Sequence, residues 1–304
     1  MPTFPVVLFA FNRPDHVRRT LAALSANPPA AETDLFIFCD GPVTDQDSAA
    51  VEDVRRICRG VKGFQSLHLT EREHNLGLAT SIREGVTEVL QMTEGVIVLE
   101  DDLLAHPSFL WFMNEALTRY QSDSRLLSVS GYLPPAWRLR KRPSSIPDVW
   151  LSRRNLSFGW GTWRAAWNSV QWDQAEHDDF ADDEAAWEAF AEVGGEDLPW
   201  MLHQELKGAL NSWSIRFSYA HMRSNRFAVL PGASYLKPIG FDGSGRHCFP
   251  NPLRWIEHTR NANAHIDWPE RLSVDESMNQ ALKDSFSRHH RWAKRLRVIS
   301  EVNA

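Results

Sequence analysis

The sequence predicts an α/β protein: a mainly parallel sheet flanked by helices, then a helical region and a C-terminal extension. Three observations carry this. Short apolar runs alternate with helix-length segments up to about residue 130, and alternation of this kind calls for crossover connections in a parallel sheet. The runs end repeatedly in polar or glycine residues, as at Asp40-Gly41 and Glu100-Asp101-Asp102. Beyond Gly131 the alternation stops and Pro, Arg and Trp become frequent.

Taken in order, Pro5-Val6-Val7-Leu8-Phe9-Ala10 is a strand-type run, broken by Phe11-Asn12-Arg13-Pro14-Asp15. Asn12 or Asp15 is expected to cap a helix through about Leu24. Leu35 to Cys39 repeats the scheme, with Asp40-Gly41 ending the strand. A helix near Ser48 to Cys58 and a strand near Gln65 to Thr70 follow. Asn75-Leu76-Gly77-Leu78 turns into a helix running to about Met92. Val96 to Glu100 is the fourth strand, His106 to Tyr120 a helix, and Leu126 to Ser130 a further strand. Ligands of such sheets bind beyond the carboxyl ends of the strands, and four polar strand ends meet there. Pro134, Pro135, Pro143 and Pro147, with Arg138, Arg140, Lys141 and Arg142, predict an irregular loop. A helical zone holding Gly159-Trp160-Gly161-Thr162-Trp163 comes next. Past Phe227-Ala228-Val229-Leu230 the chain is expected to be irregular through Gly240-Phe241-Asp242-Gly243-Ser244-Gly245.

The 304 residues are 43% hydrophobic and 24% charged, a globular composition, and the formal net charge of -6 gives nucleic acid no electrostatic footing. Cys39, Cys58 and Cys248 lack metal-site spacing, and Cys39 reads as a buried thiol in a reducing compartment. The start of the chain shows no basic segment leading into a long apolar core, and no stretch is long enough to span a bilayer. The expected location is therefore cytoplasmic. Of the 13 tryptophans, nine fall between Trp137 and Trp213. They read as core, with a sugar-facing aromatic subsite as the alternative.

The acidic triplet is the most informative segment. A buried strand does not end in three carboxylates without compensation, because crowded anions repel and resist leaving water. A divalent cation shared with a nucleoside diphosphate offers it. Asp102, farthest out, is the expected direct ligand. Asp101 is placed near the ribose or a metal-bound water, and Glu100 orients its surroundings. Ordinary capping of the helix after Pro107 is the competing reading. Asp40 is suited to accept from a uracil-like base, and equally to form a turn with Gly41. Arg13 suits phosphate as a fork-shaped donor. Phe11, Asn12, Asn75 and Gly77 complete the nucleotide-facing set. A Gly-x-Gly-x-x-Gly loop, a Gly-x-x-x-x-Gly-Lys-Ser/Thr loop and a Gly-x-Ser-x-Gly elbow are all missing, which disfavours dehydrogenases, phosphate-loop enzymes and hydrolases.

The order Ala10-Phe11-Asn12-Arg13-Pro14, Asp40-Gly41, Asn75-Leu76-Gly77-Leu78 and Leu99-Glu100-Asp101-Asp102-Leu103 resembles the A-type (GT-A, Rossmann-like) glycosyltransferase fold. Glu-Asp-Asp with downstream Phe158-Gly159-Trp160 is similar to the N-acetylglucosaminyltransferase I group and its bacterial relatives, over roughly residues 4 to 248. The resemblance implies Mn2+- or Mg2+-dependent transfer of a hexosyl or N-acetylhexosaminyl group from a UDP-sugar to a glycan or lipid-linked acceptor in bacterial surface polysaccharide synthesis. It implies Asp102 as metal ligand, with Asp101 and Asp40 near the nucleoside.

On this reading residues 1–130 form the nucleotide-sugar half, 131–248 the acceptor-side half of the same domain, and 249–304 an extension. Related enzymes carry a catalytic Asp where this chain has Asn211, and an amide cannot take a proton. Asp197 is the expected substitute, with Glu205 as second candidate and helix capping as the plain alternative for Asp197. His247 is a candidate late metal ligand. Lys283, Arg288, Arg291, Lys294, Arg295 and Arg297 form a basic helical pattern that fits packing on the domain, or contact with an anionic membrane surface. Asn211 also motivates a second reading, a nucleotide-sugar-binding protein without turnover.

Overall fold

The computed structural model describes residues 2–134, 146–172, 180, 183–244 and 266–286. β1 (Val6–Ala10) is buried along its whole length, as a two-faced central strand must be. α1 (Pro14–Ser25) leads to β2 (Asp34–Cys39), α2 (Ser48–Arg59), β3 (Ser66–Glu71), α3 (Leu78–Met92) and β4 (Gly95–Glu100). Then come β5 (Leu103–Ala105), α4 (Phe109–Tyr120), β6 (Leu126–Ser130), β7 (Val149–Ser152), β8 (Trp160–Trp163) and α5 (Arg164–Asn168). α6 (Glu184–Gly194), α7 (Asp197–Leu206), α8 (Trp213–Arg223), β9 (Phe227–Pro231) and β10 (Leu236–Pro238) follow, and a helix α9 covers 276–286.

The main sheet runs β3-β2-β1-β4-β8-β6-β9-β7. β3, β2, β1 and β4 are parallel, with Val6 opposite Leu35 on one side and Ile97 on the other. The ends of β1, β2 and β4 therefore open on one edge, as the sequence predicts. The sheet continues without a break across residue 130, so the two expected halves share one core.

The chief correction is β8. Gly159 to Trp163 was expected in a helical zone, yet it lies antiparallel between β4 and β6. The reason is steric. A Cβ on Gly161 would lie 2.8 Å from the Val96 carbonyl oxygen, so glycine lets the two backbones pair. Trp160 and Trp163, separated by that glycine and Thr162, are both buried. Trp160 stacks on Trp213 at 4.7 Å between ring centroids and on Trp167 at 5.7 Å. With Trp150 also buried, the Trp-rich zone is mainly core. β7 and β10 are further strands that the sequence left within irregular segments.

α1 starts at Pro14, which fits a first helical position because proline has no amide hydrogen to leave unpaired. Neither Asn12 nor Asp15 caps it: the Asn12 amide donates to Asp47 at 2.8 Å, and Asp15 pairs with Arg18. Cys39 and Cys58 are buried free thiols with their sulfurs 3.7 Å apart.

Part of the C-terminal extension belongs to the body. Val274 bridges Leu151 on the outer strand β7, and Asn279 of α9 donates to the Leu151 carbonyl at 3.1 Å. Lys283 pairs with Glu192. The rest of the basic pattern, from Arg288 on, and the Arg-rich loop at 138–142 lie outside the described residues. Among the described residues, no helix is long and apolar enough to cross a membrane.

Candidate active site

The carboxyl edge of β1, β2 and β4 holds most of the expected residues. α1 is fixed over it by Thr20, whose buried hydroxyl donates to the Asp101 carbonyl at 2.7 Å. Arg13, His16 and Thr20 follow one another at helical spacing, so the same face carries Arg13 and His16 to the end of β4.

The triplet is not used as a helix cap. α4 begins at Phe109 behind Ser108, and the Asp101 and Asp102 side chains turn instead to Arg13. One guanidinium nitrogen of Arg13 contacts Asp101 Oδ1, and the other lies 3.0 Å from Asp102 Oδ2. Asp101 is almost wholly buried, whereas the Asp102 side chain keeps 16% of its exposure. Burial, reinforced by Asp102 and Asp101, pushes Glu100 up to about 8. Burial also raises Asp101, against the opposing pull of Arg13. Burial alone would lower Arg13, but Asp101 and Asp102 outweigh it and hold the guanidinium above its ordinary value.

Asp40 is the clamp between two loops. Its Oδ1 accepts from the Gly41 and Leu76 amides at 3.1 and 2.9 Å, and its Oδ2 from the Gly77 amide at 3.0 Å. The Asn75 side chain closes the clamp from the other side, donating to the Gly41 carbonyl at 2.9 Å. Gly41 has to be glycine, since a Cβ there would lie 2.5 Å from the His74 carbonyl carbon. Gly77, at φ 75°, sets the start of α3 in a conformation that favours glycine. The Asn211 amide nitrogen lies 3.5 Å from where a Gly77 Cβ would stand, so the segment before α8 reaches this loop.

Asp197 and Glu205 do not fit the expected role of base. Asp197 is held in a two-pronged pair with Arg154, at 2.8 and 2.7 Å, and Arg154 also donates to the Gly194 carbonyl. Both carboxylate oxygens are thus committed to a buried guanidinium, and a proton taken there would break the pair. Glu205 accepts from Arg216 Nε at 2.8 Å, and its other oxygen is buried. α7 places both acids beside a second apolar cluster of Phe190, Leu198, Leu202, Ile215 and Tyr219. His247 lies outside the described residues.

Four residues of this edge, His16, Ile239, Gly240 and Asp242, are not among those the sequence singles out. β10 pairs with β5, directly after the triplet, and the Ile239 amide donates to the Asp102 carbonyl at 2.8 Å. Gly240 then packs on the acids: a Cβ there would lie 2.0 Å from Asp102 Oδ2 and 3.1 Å from Arg13 Nη1. Asp242 follows, its Oδ2 3.1 Å from His16 Nε2. Burial raises Asp242, but hydrogen bonds from Ser244 and the nearness of His16 prevail and hold it below the usual carboxylate value. The available signals were His16, three residues beyond Arg13 on a helix, and the glycine-flanked acid in Gly240-Phe241-Asp242-Gly243.

The oxygen donors suit a hard divalent ion, with carboxylates outnumbering the single guanidinium. Among the described residues, no three His, Cys, Asp or Glu side chains form a ready-made metal cage. A site of one carboxylate completed by phosphate oxygens and water is the kind Mg2+ and Mn2+ accept.

No protein-family model and no curated protein sequence matches the chain. Several solved structures are similar in part. The mannosyltransferase PcManGT from Pyrobaculum calidifontis, solved with GDP-Man and Mn2+, is 15% identical over 54% of this chain and 46% of its own, with a TM-score of 0.38. S. aureus TarS (1–349) is 14% identical over 77% of this chain and 60% of its own, at 0.41. Glucosyl-3-phosphoglycerate synthase from Mycobacterium tuberculosis, solved with Mn2+, UDP and glucosyl-3-phosphoglycerate, is 14% identical over 54% and 57%, at 0.35. The chain thus spans about half the length of the mannosyltransferase it matches. At such identities a likeness concerns chain architecture alone.

Proposed function

We propose that this chain is a nucleotide-diphospho-sugar glycosyltransferase that uses Mn2+ or Mg2+, with a UDP-sugar as donor and a glycan or glycoconjugate as acceptor. The observation that carries this reading is the acid triplet at the carboxyl edge of β4, bridged by Arg13 and sharing that sheet edge with the Asp40–Gly77 clamp.

Asp102, outermost of the three, would hold the divalent ion. When bound, that ion supplies Lewis-acid stabilisation to the departing diphosphate. The chain's own groups do the rest. Arg13 binds the diphosphate through its planar fork. Asp40 fixes the Leu76-Gly77 backbone, and Oδ2, which takes one hydrogen bond from Gly77, retains capacity for a base N–H. Transfer breaks the bond from the anomeric carbon to the β-phosphate oxygen, whose electron pair stays with the diphosphate. The acceptor oxygen forms the new bond and gives up its proton. In the place expected for Asp197 we put Asp242, which is at this edge, 28% exposed and beside His16.

The test is a thermal-shift screen of UDP-, GDP- and dTDP-sugars with and without Mn2+, followed by release of the nucleoside diphosphate. Binding should need the metal, and Asp102→Ala should lower turnover by about a hundredfold or more. Uptake of none of the three nucleotides by folded, metal-saturated protein would overturn the reading. The neutral Asn211 beside Gly77 favours one alternative, a nucleotide-sugar binder without turnover. Binding with no diphosphate release under any acceptor mixture selects it.

A further inference from the structure

Arg13 occupies the place where a cation is wanted. It spans Asp101 and Asp102 with two nitrogens, and its side chain keeps only 19% of its exposure. The Gly240 backbone closes over this bridge so tightly that no side chain fits between them. A divalent ion arriving alone must therefore compete with a tethered guanidinium for Asp102, and two cations at that range repel. A nucleoside diphosphate changes the balance, because its phosphate oxygens match the arginine fork as well as a carboxylate does.

Resting on the proposed function, we infer that Arg13 is an internal counter-ion that couples the two ligands. Without nucleotide it holds Asp102 and keeps metal affinity low. With nucleotide bound it transfers to the diphosphate and releases Asp102 to the metal. No bond to carbon is made or broken in this exchange; ion pairs alone are traded. Linkage requires the coupling to be reciprocal, so Mn2+ tightens nucleotide by the factor with which nucleotide tightens Mn2+. Arg13 is on this account a positioning residue for the metal ligand as well as a phosphate contact.

The experiment measures free Mn2+ by electron paramagnetic resonance, titrating wild type and Arg13→Gln with and without UDP. In the wild type, UDP should tighten Mn2+ at least tenfold. In Arg13→Gln, Mn2+ alone should bind about tenfold tighter than in the wild type, and UDP, whose phosphate oxygens still complete the site, should tighten it by a factor about tenfold smaller than in the wild type. If Arg13→Gln does not melt cooperatively, Arg13→Lys serves, because one ammonium cannot span both carboxylates. It should bind Mn2+ alone about threefold tighter than the wild type. Mn2+ affinity without UDP that is unchanged or weaker in the folded variant overturns the inference. A wild type that takes up no UDP, GDP or dTDP with saturating Mn2+ sinks the proposed function instead, and the Mn2+-only comparison still decides the role of Arg13.

Discussion

Gly240 shows what a single missing Cβ does at this edge. A methyl group there would stand 2.0 Å from Asp102 Oδ2, and Asp102 cannot retreat while Arg13 holds it. Gly240→Ala should therefore cost about 1–3 kcal/mol of stability and disturb the Arg13–Asp102 pair. Urea unfolding and Mn2+-dependent nucleotide binding would show this, and a variant indistinguishable from wild type in both would contradict the packing. Asp40→Ala strips hydrogen-bond acceptors from three backbone amides, two of them in the loop that starts α3. The Gly77 amide keeps Asn75 Oδ1 as a partner, but leaving the Gly41 and Leu76 amides unpaired should cost about 1–3 kcal/mol, and faster amide exchange at Leu76 is the direct readout. Of these residues, Asp40, Arg13 and the triplet stand out in the sequence because charge at the end of an apolar run is conspicuous. Gly240 does not, because its importance comes from an acid more than a hundred positions earlier.

Among the elements, the first half was legible to within a residue or so, apart from the short β5, which the sequence did not announce, and α4, which starts at Phe109 and not His106. Each strand and helix there is an uninterrupted apolar or amphipathic segment with its own stop signals. β8 was not legible: its four residues, Trp160 to Trp163, are too short for a period to establish itself, and β4 and β6 supply its partners. The same holds for α7. A carboxylate after a glycine pair resembles a catalytic acid in one dimension, while in three it meets Arg154 from the end of β7. Arg154 in turn lies 3.6 Å from the ring centroid of Phe286 in α9, so the pair ties three elements together. Asp197→Asn should thus destabilise by about 3 kcal/mol, the usual cost of breaking an enclosed ion pair. If the midpoint of urea unfolding stays put while turnover collapses, Asp197 is a catalytic residue after all.

For the whole molecule, one buried histidine adds an acid-sensitive contribution to stability. His221 lies in the core between α8 and β6, with Ser128 at 2.9 Å and the Phe217 carbonyl at 2.8 Å. Burial lowers it from 6.5 to about 4. The unfolded chain binds this proton near 6.5 and the folded chain only near 4, so the unfolded state holds more protons between those values. The contribution of this group is accordingly complete above about 6.5 and is lost as the pH drops from there through about 4. The loss from this group should reach about 3 kcal/mol. Between pH 7 and pH 4 the melting temperature of the wild type should drop relative to that of His221→Gln, since the raised Glu100 acts equally in both.

The sequence by itself determined the parallel α/β half, the edge on which its strand ends open, and the acids and arginine that crowd there. Those are properties of runs and run-ends, and the hydrophobic effect acts on them locally. Only the tertiary structure decided the partners: Arg13 against Asp101 and Asp102, Gly240 above them, His16 beside Asp242, and Arg154 against Asp197. Charge pairing and close packing depend on distances between residues remote in the chain, and no local pattern encodes those distances.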